Sequence, residues 1–173
     1  QLERWVPVRG ADTREVQYDQ VPQARLYRVW VGPPDVDPVS TELAVAVSVL
    51  AQGKNARLYE DLVHEQQLAT GVSPWMQEGK LASVFGVVVT VKPGASPVAA
   101  SVALDRSLEA FLRRGPTREE LERLSTRIEA DVVRGLEQVG GFRGKAVTLA
   151  QGQLVAGDPA FRFDTELAEL EAV

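Results

Sequence analysis

The sequence lacks cysteine entirely and has a single histidine, His64, among its 173 residues. Without cysteine, neither a disulfide framework nor a thiolate metal site can form. Long apolar runs are missing as well, because the two longest, residues 43–51 and 84–91, fall far short of the ~20 residues that span a bilayer. We therefore predict neither a membrane-spanning segment nor a membrane partner.

Positive charge is also scarce, with 19 Lys and Arg against 24 Asp and Glu, a net charge of −5 and a sequence pI near 5.0. Proteins that bind phosphates usually carry a basic surface, so nucleic acid is not an expected partner. The 45% hydrophobic and 25% charged fractions are typical of a globular protein. We expect one domain over residues 1–173, with 1–13 as a linker. Because the chain opens with Gln1 and not Met, we also expect it to be a segment of a longer protein.

Three segments have the composition of β-strands. Residues 24–31 are rich in aromatic and β-branched side chains, residues 72–76 form a weaker candidate, and residues 82–92 are apolar on both alternating faces. We expect the last of these to be central in a sheet and covered on both sides. An additional edge strand is predicted for residues 13–18.

Helix signals separate and follow these strands. Asp37 predicts the start of a deeply buried helix that is apolar nearly all round, and Asn55 is positioned to cap a shorter one. A long helix is predicted from Pro97 to Arg114, and the capping box Thr117-Arg-Glu-Glu120 starts another. Further helices are predicted for residues 142–155 and 161–173. The residues of the first long helix that we expect to face inward are Val98, Val102, Leu104, Leu108, Phe111 and Leu112.

Strands that pair as hairpins, followed by long helices, predict an α+β fold. We expect a two-layer sandwich in which a mainly antiparallel sheet has helices packed on one face.

The shortage of histidine decides the metal chemistry. A zinc site of the H-E-x-x-H type needs two imidazoles one helical turn apart. His64 and Glu65 match the first two positions of this motif, but Leu68 occupies the position of the second histidine. The inverted H-x-x-E-H motif fails because one histidine cannot fill two positions. The sequence therefore predicts no metal site and no catalytic residue within this chain.

Other chemistry-bearing patterns have simpler structural explanations. His64 could activate Ser73 or Ser83 as a nucleophile, but no nucleophile-elbow sequence surrounds either serine, and a solvated histidine near a helix end is the favoured interpretation. The acidic cluster at residues 119–122 suits the first turn of a helix. Residues 140–145 have the wrong glycine spacing for a phosphate loop.

Five strings occur in a distinctive order and spacing. They are Val21-Pro-Gln-Ala-Arg-Leu-Tyr27, Gly53-Lys-Asn-Ala-Arg-Leu-Tyr-Glu-Asp-Leu62, Gln67-Leu-Ala-Thr70, Gly115-Pro-Thr-Arg-Glu-Glu-Leu121 and Gly157-Asp-Pro159. Together they resemble the insulinase or pitrilysin family of zinc metallopeptidases, in particular its non-catalytic C-terminal type of domain. The resemblance runs from about residue 14 to the end of the chain.

This resemblance implies a domain that closes over a catalytic half and helps to enclose an extended peptide. Zinc is then expected only in that catalytic domain, which is the implied partner together with the peptide substrate. The closing half of active members often carries an arginine and, seven positions later, a tyrosine that reach the peptide; the matching positions here are Val63 and Thr70. Neither residue fits, so the resemblance implies substrate contact at Val63 and Thr70 without direct assistance to the reaction. By analogy with the family, the location is the bacterial periplasm or cell envelope.

Two alternative functions remain open at this level. One is a structural or assembly role, like that of the related core proteins of respiratory complexes, which keep the fold with lost or weakened proteolysis. The other is a small-molecule enzyme that uses His64.

Overall fold

The computed structural model describes residues 10–11, 20, 22–137, 139–141 and 144–165. Its strands are β1 (Arg25–Gly32), β2 (Ala69–Gln77) and β3 (Ser83–Val91). Its helices are α1 (Pro38–Ala51), α2 (Arg57–Tyr59), α3 (Pro97–Arg114), α4 (Arg118–Glu137) and α5 (Lys145–Ala156), and α2 continues as a π-helical turn over Glu60–Glu65. The predicted strand at residues 13–18 lies outside the described residues, and so does most of the predicted linker at residues 1–13.

The sheet has the order β1-β3-β2, and both pairings are antiparallel. The apolar strand β3 is central, as predicted. On the face toward the helices, Val87, Val89 and Val91 are almost fully buried. The opposite face of β3 is covered only in part among the described residues, because Gly86 is buried but Val84, Val88 and Thr90 are half-buried. The neighbouring Tyr27 and Val31 of β1 are 55% and 64% exposed on this face.

One hydrophobic core lies between the sheet and the helices on its inner face, which confirms the predicted α+β sandwich. Leu58 and Leu62 point into it from α2 and the π-helical turn, and Leu104 does so from α3. The Arg28 guanidinium adds a polar tie from β1 to α3, donating to both carboxylate oxygens of Asp105 at 3.0 and 2.9 Å. Burial of large side chains on this one face fixes the helices on the sheet.

Helix α3 is rotated relative to the prediction from its sequence. Leu104 and Phe111 are buried as expected, but Val98, Val102 and Leu112 are 72%, 64% and 83% exposed. The buried face consists of Ala100, Ala103, Leu104, Ser107 and Phe111. Because several of these residues are small, the helix axis can lie close to neighbouring elements, and this packing outweighs the burial of valine.

The start of α1 agrees with the prediction, since the Asp37 side chain accepts a hydrogen bond from the Val39 amide at 3.0 Å. The predicted cap at Asn55 is wrong: Ala56 is the residue before α2, and no side chain caps that end. Helix α1 is also less buried than predicted. Val45 and Val49 face the core, whereas Leu43 and Val47 are only half-buried.

The last described segment is held by ion pairs. The Arg162 guanidinium donates to both carboxylate oxygens of Asp35, at 3.0 and 2.7 Å, and to Glu78 at 2.6 Å. The Asp35 side chain is only 2% exposed, so Arg162 compensates a buried charge. Residues 161–165 are helical, and the rest of the helix predicted for 161–173 lies outside the described residues.

Candidate functional site

The segment around His64 does not have the geometry of a zinc helix. His64 and Glu65 end the π-helical turn, and Gln67 then adopts a positive φ of 52°. The Leu68 amide donates to the Leu62 carbonyl at 2.9 Å, and β2 begins at the next residue. Leu68 therefore does not continue a helical face from His64. Both the backbone of this segment and the single histidine of the sequence fail to fit a zinc site of the H-E-x-x-H type.

The structure does not bring His64 to a nucleophile. Its exposed ring lies 5.2 Å from the Tyr59 ring, centroid to centroid, in an edge-on arrangement. Ser83 is buried at the start of β3, whereas the His64 segment leads into the pairing of Ala69 with the far end of that strand. Ser83 and Val91, which pairs with Ala69, are eight residues apart along β3, a distance of about 26 Å at roughly 3.3 Å per residue. Ser73 lies exposed within β2, so neither serine makes a described hydrogen bond to His64.

The positions predicted to contact substrate, Val63 and Thr70, lie on either side of the turn from the π-helical segment into β2. Val63 is half-buried and packs against the core. Thr70 is exposed at an irregularity of the sheet, where Ala69 pairs with Val91 and Gly71 already pairs with Thr90. An extra residue at a β-bulge is left without a cross-strand partner and bends the strand. Thr70 is solvent-exposed at this irregularity, and its hydroxyl donates to the Thr90 carbonyl of β3 at 3.4 Å.

Glu120, part of the acidic cluster, has a structural role. Its carboxylate accepts hydrogen bonds from the Arg57 guanidinium at 2.9 and 2.5 Å and from the Thr117 amide at 2.7 Å. The Thr117 hydroxyl accepts from the Glu120 amide at 3.3 Å, which completes the predicted capping box. Burial alone raises the pKa of Glu120, but hydrogen bonds from Arg57 and Thr117 and the charge of Arg57 outweigh burial, so this pKa is lowered.

The glycine-rich stretch at residues 140–145 also has a structural position, and so does Trp30 of β1. Gly144 precedes α5, and its amide donates to the Gly141 carbonyl at 3.0 Å, so the described part of residues 140–145 forms a tight connection between two helices. Trp30 stacks on Phe85 with ring centroids 5.4 Å apart. Both observations favour packing over ligand binding.

A groove that the sequence did not reveal follows the C-terminal part of α1, with α4 beside its two larger cavities and β2 beside its smallest one. It contains a cavity of about 470 Å³ at the end of α1, where Lys54, Arg123 and Arg127 line the walls together with the paired Glu120. Two smaller cavities of about 220 and 190 Å³ adjoin it, since all three share Ser48 and Gln52. We call the three together the α1–α4 groove.

The described residues form an α+β fold built on one antiparallel sheet. The chain belongs to the peptidase M16 inactive-domain family, whose model matches residues 5–128, more than half of its length. This match confirms the resemblance to the non-catalytic domain of insulinase-type zinc peptidases. No curated protein matches the sequence.

Solved structures of such domains have the same fold. A proposed zinc protease from Bordetella pertussis is 22% identical with a TM-score of 0.73, over 86% of this chain and 79% of that one. The inactive peptidase domain of a proposed zinc protease from Bordetella parapertussis is 20% identical with a TM-score of 0.70, over 88% and 82%. The periplasmic protease PqqL from Escherichia coli is 16% identical with a TM-score of 0.61, over 88% of this chain but 17% of that one. At these identities the likeness shows a common fold.

The part of the chain that the structure describes contains no group of three or more acidic or histidine side chains able to hold a metal ion. Among the same residues, no helix combines the length and the apolarity needed to cross a bilayer.

Proposed function

We propose that this chain helps to enclose an extended peptide beside a zinc site that belongs to another domain. The match of residues 5–128 to the inactive M16 domain carries this proposal. The sequence supports it independently, because one histidine and no cysteine cannot supply the ligands of a catalytic zinc ion. The hydrolytic chemistry then comes from a catalytic half, either elsewhere in the same chain or in a partner chain.

Within this proposal, the peptide passes the edge of the sheet at Thr70 and Val63. Thr70 is exposed at the start of β2, which lies at an edge of the sheet that the described strands form, and an extended segment can reach it there. Val63 is half-buried and offers only an apolar contact. Neither side chain carries a positive charge or a phenol, so they contact the peptide without stabilising charge in the transition state.

A bacterial periplasmic or envelope location forms part of the proposal. Its support is the fold shared with the periplasmic protease PqqL.

The test compares the purified chain alone with the chain combined with the zinc-bearing M16 half from the same genome. We expect no stoichiometric zinc and no cleavage of a quenched fluorescent peptide by the chain alone, and a marked increase in cleavage when the two are combined. Equimolar zinc with hydrolysis by the chain alone would contradict the proposal. A catalytic half that is fully active without this chain would favour the structural or assembly role instead.

A further inference from the structure

We propose that the α1–α4 groove binds peptide segments in which an acidic side chain is next to an apolar one. The inference rests on the proposed function and names the class of substrate that the enclosed peptide belongs to. It is carried by the charge and the shape of the groove.

The charge of the groove is opposite to that of the whole chain. Arg127 donates to the Gln52 carbonyl at 3.3 Å and to the Gln52 side-chain oxygen at 2.7 Å, and both acceptors are neutral. Arg123 is paired only loosely with Glu119, at 3.9 Å between largely exposed groups, and Lys54 is exposed nearby. These cations line one cavity in a protein of net charge −5.

The carboxylates near the groove are occupied by other cations. Glu120 is held by Arg57 at 2.5 Å, and Asp131, in the adjoining cavity, is paired with Arg134 at 2.8 Å. Among the described residues Lys54 and Arg127 pair with no carboxylate, and Arg123 has only the loose pair with Glu119, so an incoming carboxylate can bind to these cations. Charge complementarity thus favours an acidic side chain at the 470 Å³ cavity.

The shape of the groove favours a peptide over a small anion as its ligand. Val49 and Leu124 give the cationic cavity an apolar floor. The smallest cavity shares Ser48 and Gln52 with the cationic one and is otherwise lined by apolar side chains, which are Ala44, Val47, Pro74, Trp75 and Met76. An inorganic anion would leave these surfaces uncovered, whereas a peptide that places an apolar residue beside an acidic one covers both.

The groove is also largely pre-formed. The Gln52 amide donates to the Ser48 carbonyl at 3.0 Å, which fixes the end of α1, and Gln52 in turn holds the Arg127 guanidinium from α4. A cation that is already oriented loses less conformational entropy when a ligand binds.

The experiment measures binding of a fluorescein-labelled peptide of alternating Glu and Leu to the chain by fluorescence anisotropy. A Lys-Leu peptide and a Glu-Ser peptide are the comparison probes. We expect the Glu-Leu peptide to bind at least several-fold more tightly than either. The double variant Lys54→Gln/Arg123→Gln should weaken binding about tenfold, as expected for two exposed ion pairs. The matched control Arg106→Gln/Arg114→Gln removes the same charge from exposed positions outside the groove and should leave the affinity unchanged.

Three results would overturn the inference. They are equal affinity for the Lys-Leu peptide, an affinity of the Lys54→Gln/Arg123→Gln variant equal to that of the control variant, and full displacement by millimolar inorganic phosphate. The last would show a simple anion site. Because this assay needs no catalytic half, its failure is distinguishable from failure of the proposed function, which the stimulation of cleavage tests separately.

Discussion

The substitution Glu120→Gln removes the charge that pairs with Arg57 but keeps a side chain able to cap α4. Glutamine can still reach back to the Thr117 amide, because Gln serves as well as Glu at this position of a capping box. It cannot carry the negative charge that accepts two hydrogen bonds from Arg57. The Arg57 guanidinium, 5.1 Å above the Phe111 ring, then loses its counter-ion in a half-buried place.

The expected loss is about 2 kcal/mol of unfolding free energy at pH 7, because hydrogen bonds to charged groups contribute about 1.5–3 kcal/mol and the pair is not fully buried. The sign of the pH dependence follows from the lowered pKa of Glu120. A carboxyl whose pKa is lower in the folded state stabilises the protein above its unfolded pKa of about 4.3, and this stabilisation is lost as the pH falls through the folded pKa. The difference between wild type and Glu120→Gln should therefore shrink below about pH 4.

Urea denaturation followed by circular dichroism, at pH 7 and at pH 3, measures both quantities. The matched control is Glu122→Gln, which removes the same charge from the same helix where the pair with Arg118 is exposed; its side chains are 63% and 91% exposed. This control should change stability by less than about 1 kcal/mol. A Glu120→Gln loss that equals the control, or that stays the same at both pH values, would refute the assignment of the pair.

Four further substitutions test the packing and the ion pair of Arg162. Leu104→Ala, at a fully buried position, should cost about 2–5 kcal/mol, while Leu112→Ala, at an 83% exposed one, should stay within about 0.5 kcal/mol in the same urea assay. Arg162→Gln leaves the buried Asp35 carboxylate without its cation, so stability should fall by about 3 kcal/mol and limited proteolysis near residues 161–165 should accelerate. Gly86→Ala places a Cβ 2.5 Å from the Arg28 carbonyl oxygen, and a drop of at least about 1 kcal/mol is expected.

The elements that the sequence predicts well are those with local signals. The capping box at Thr117, the cap at Asp37 and the alternation in β3 each depend on a few neighbouring residues. Orientation of a helix depends on what it meets in space, and this explains the error in α3. Its small residues, Ala100 and Ala103, have little hydrophobicity of their own and become the buried face only because they allow close packing.

The positions predicted to contact substrate, Val63 and Thr70, follow from the family resemblance alone. Val63 and Thr70 have no chemical signal in the sequence, since neither side chain suggests catalysis or ion binding. Val63 lies before β2 and Thr70 lies within it, and their placement depends on the positive φ at Gln67 and the irregular pairing between Ala69 and Gly71. A positive φ at a residue other than glycine is uncommon and cannot be predicted from the amino-acid composition.

The α1–α4 groove shows why overall charge is a poor guide to a local site. A net charge of −5 rightly argues against a partner held by long-range attraction, such as nucleic acid. At physiological ionic strength, however, exposed charges interact over only about 8 Å, so a bound side chain experiences the few groups that line its cavity. Arg123 and Arg127 are one helical turn apart and Lys54 is about seventy residues away in sequence, so in the sequence they resemble an ordinary solvated helix face. Packing of α1 against α4 brings these three cations together. The positive charge of the groove is therefore set by that packing and not by the composition of the chain.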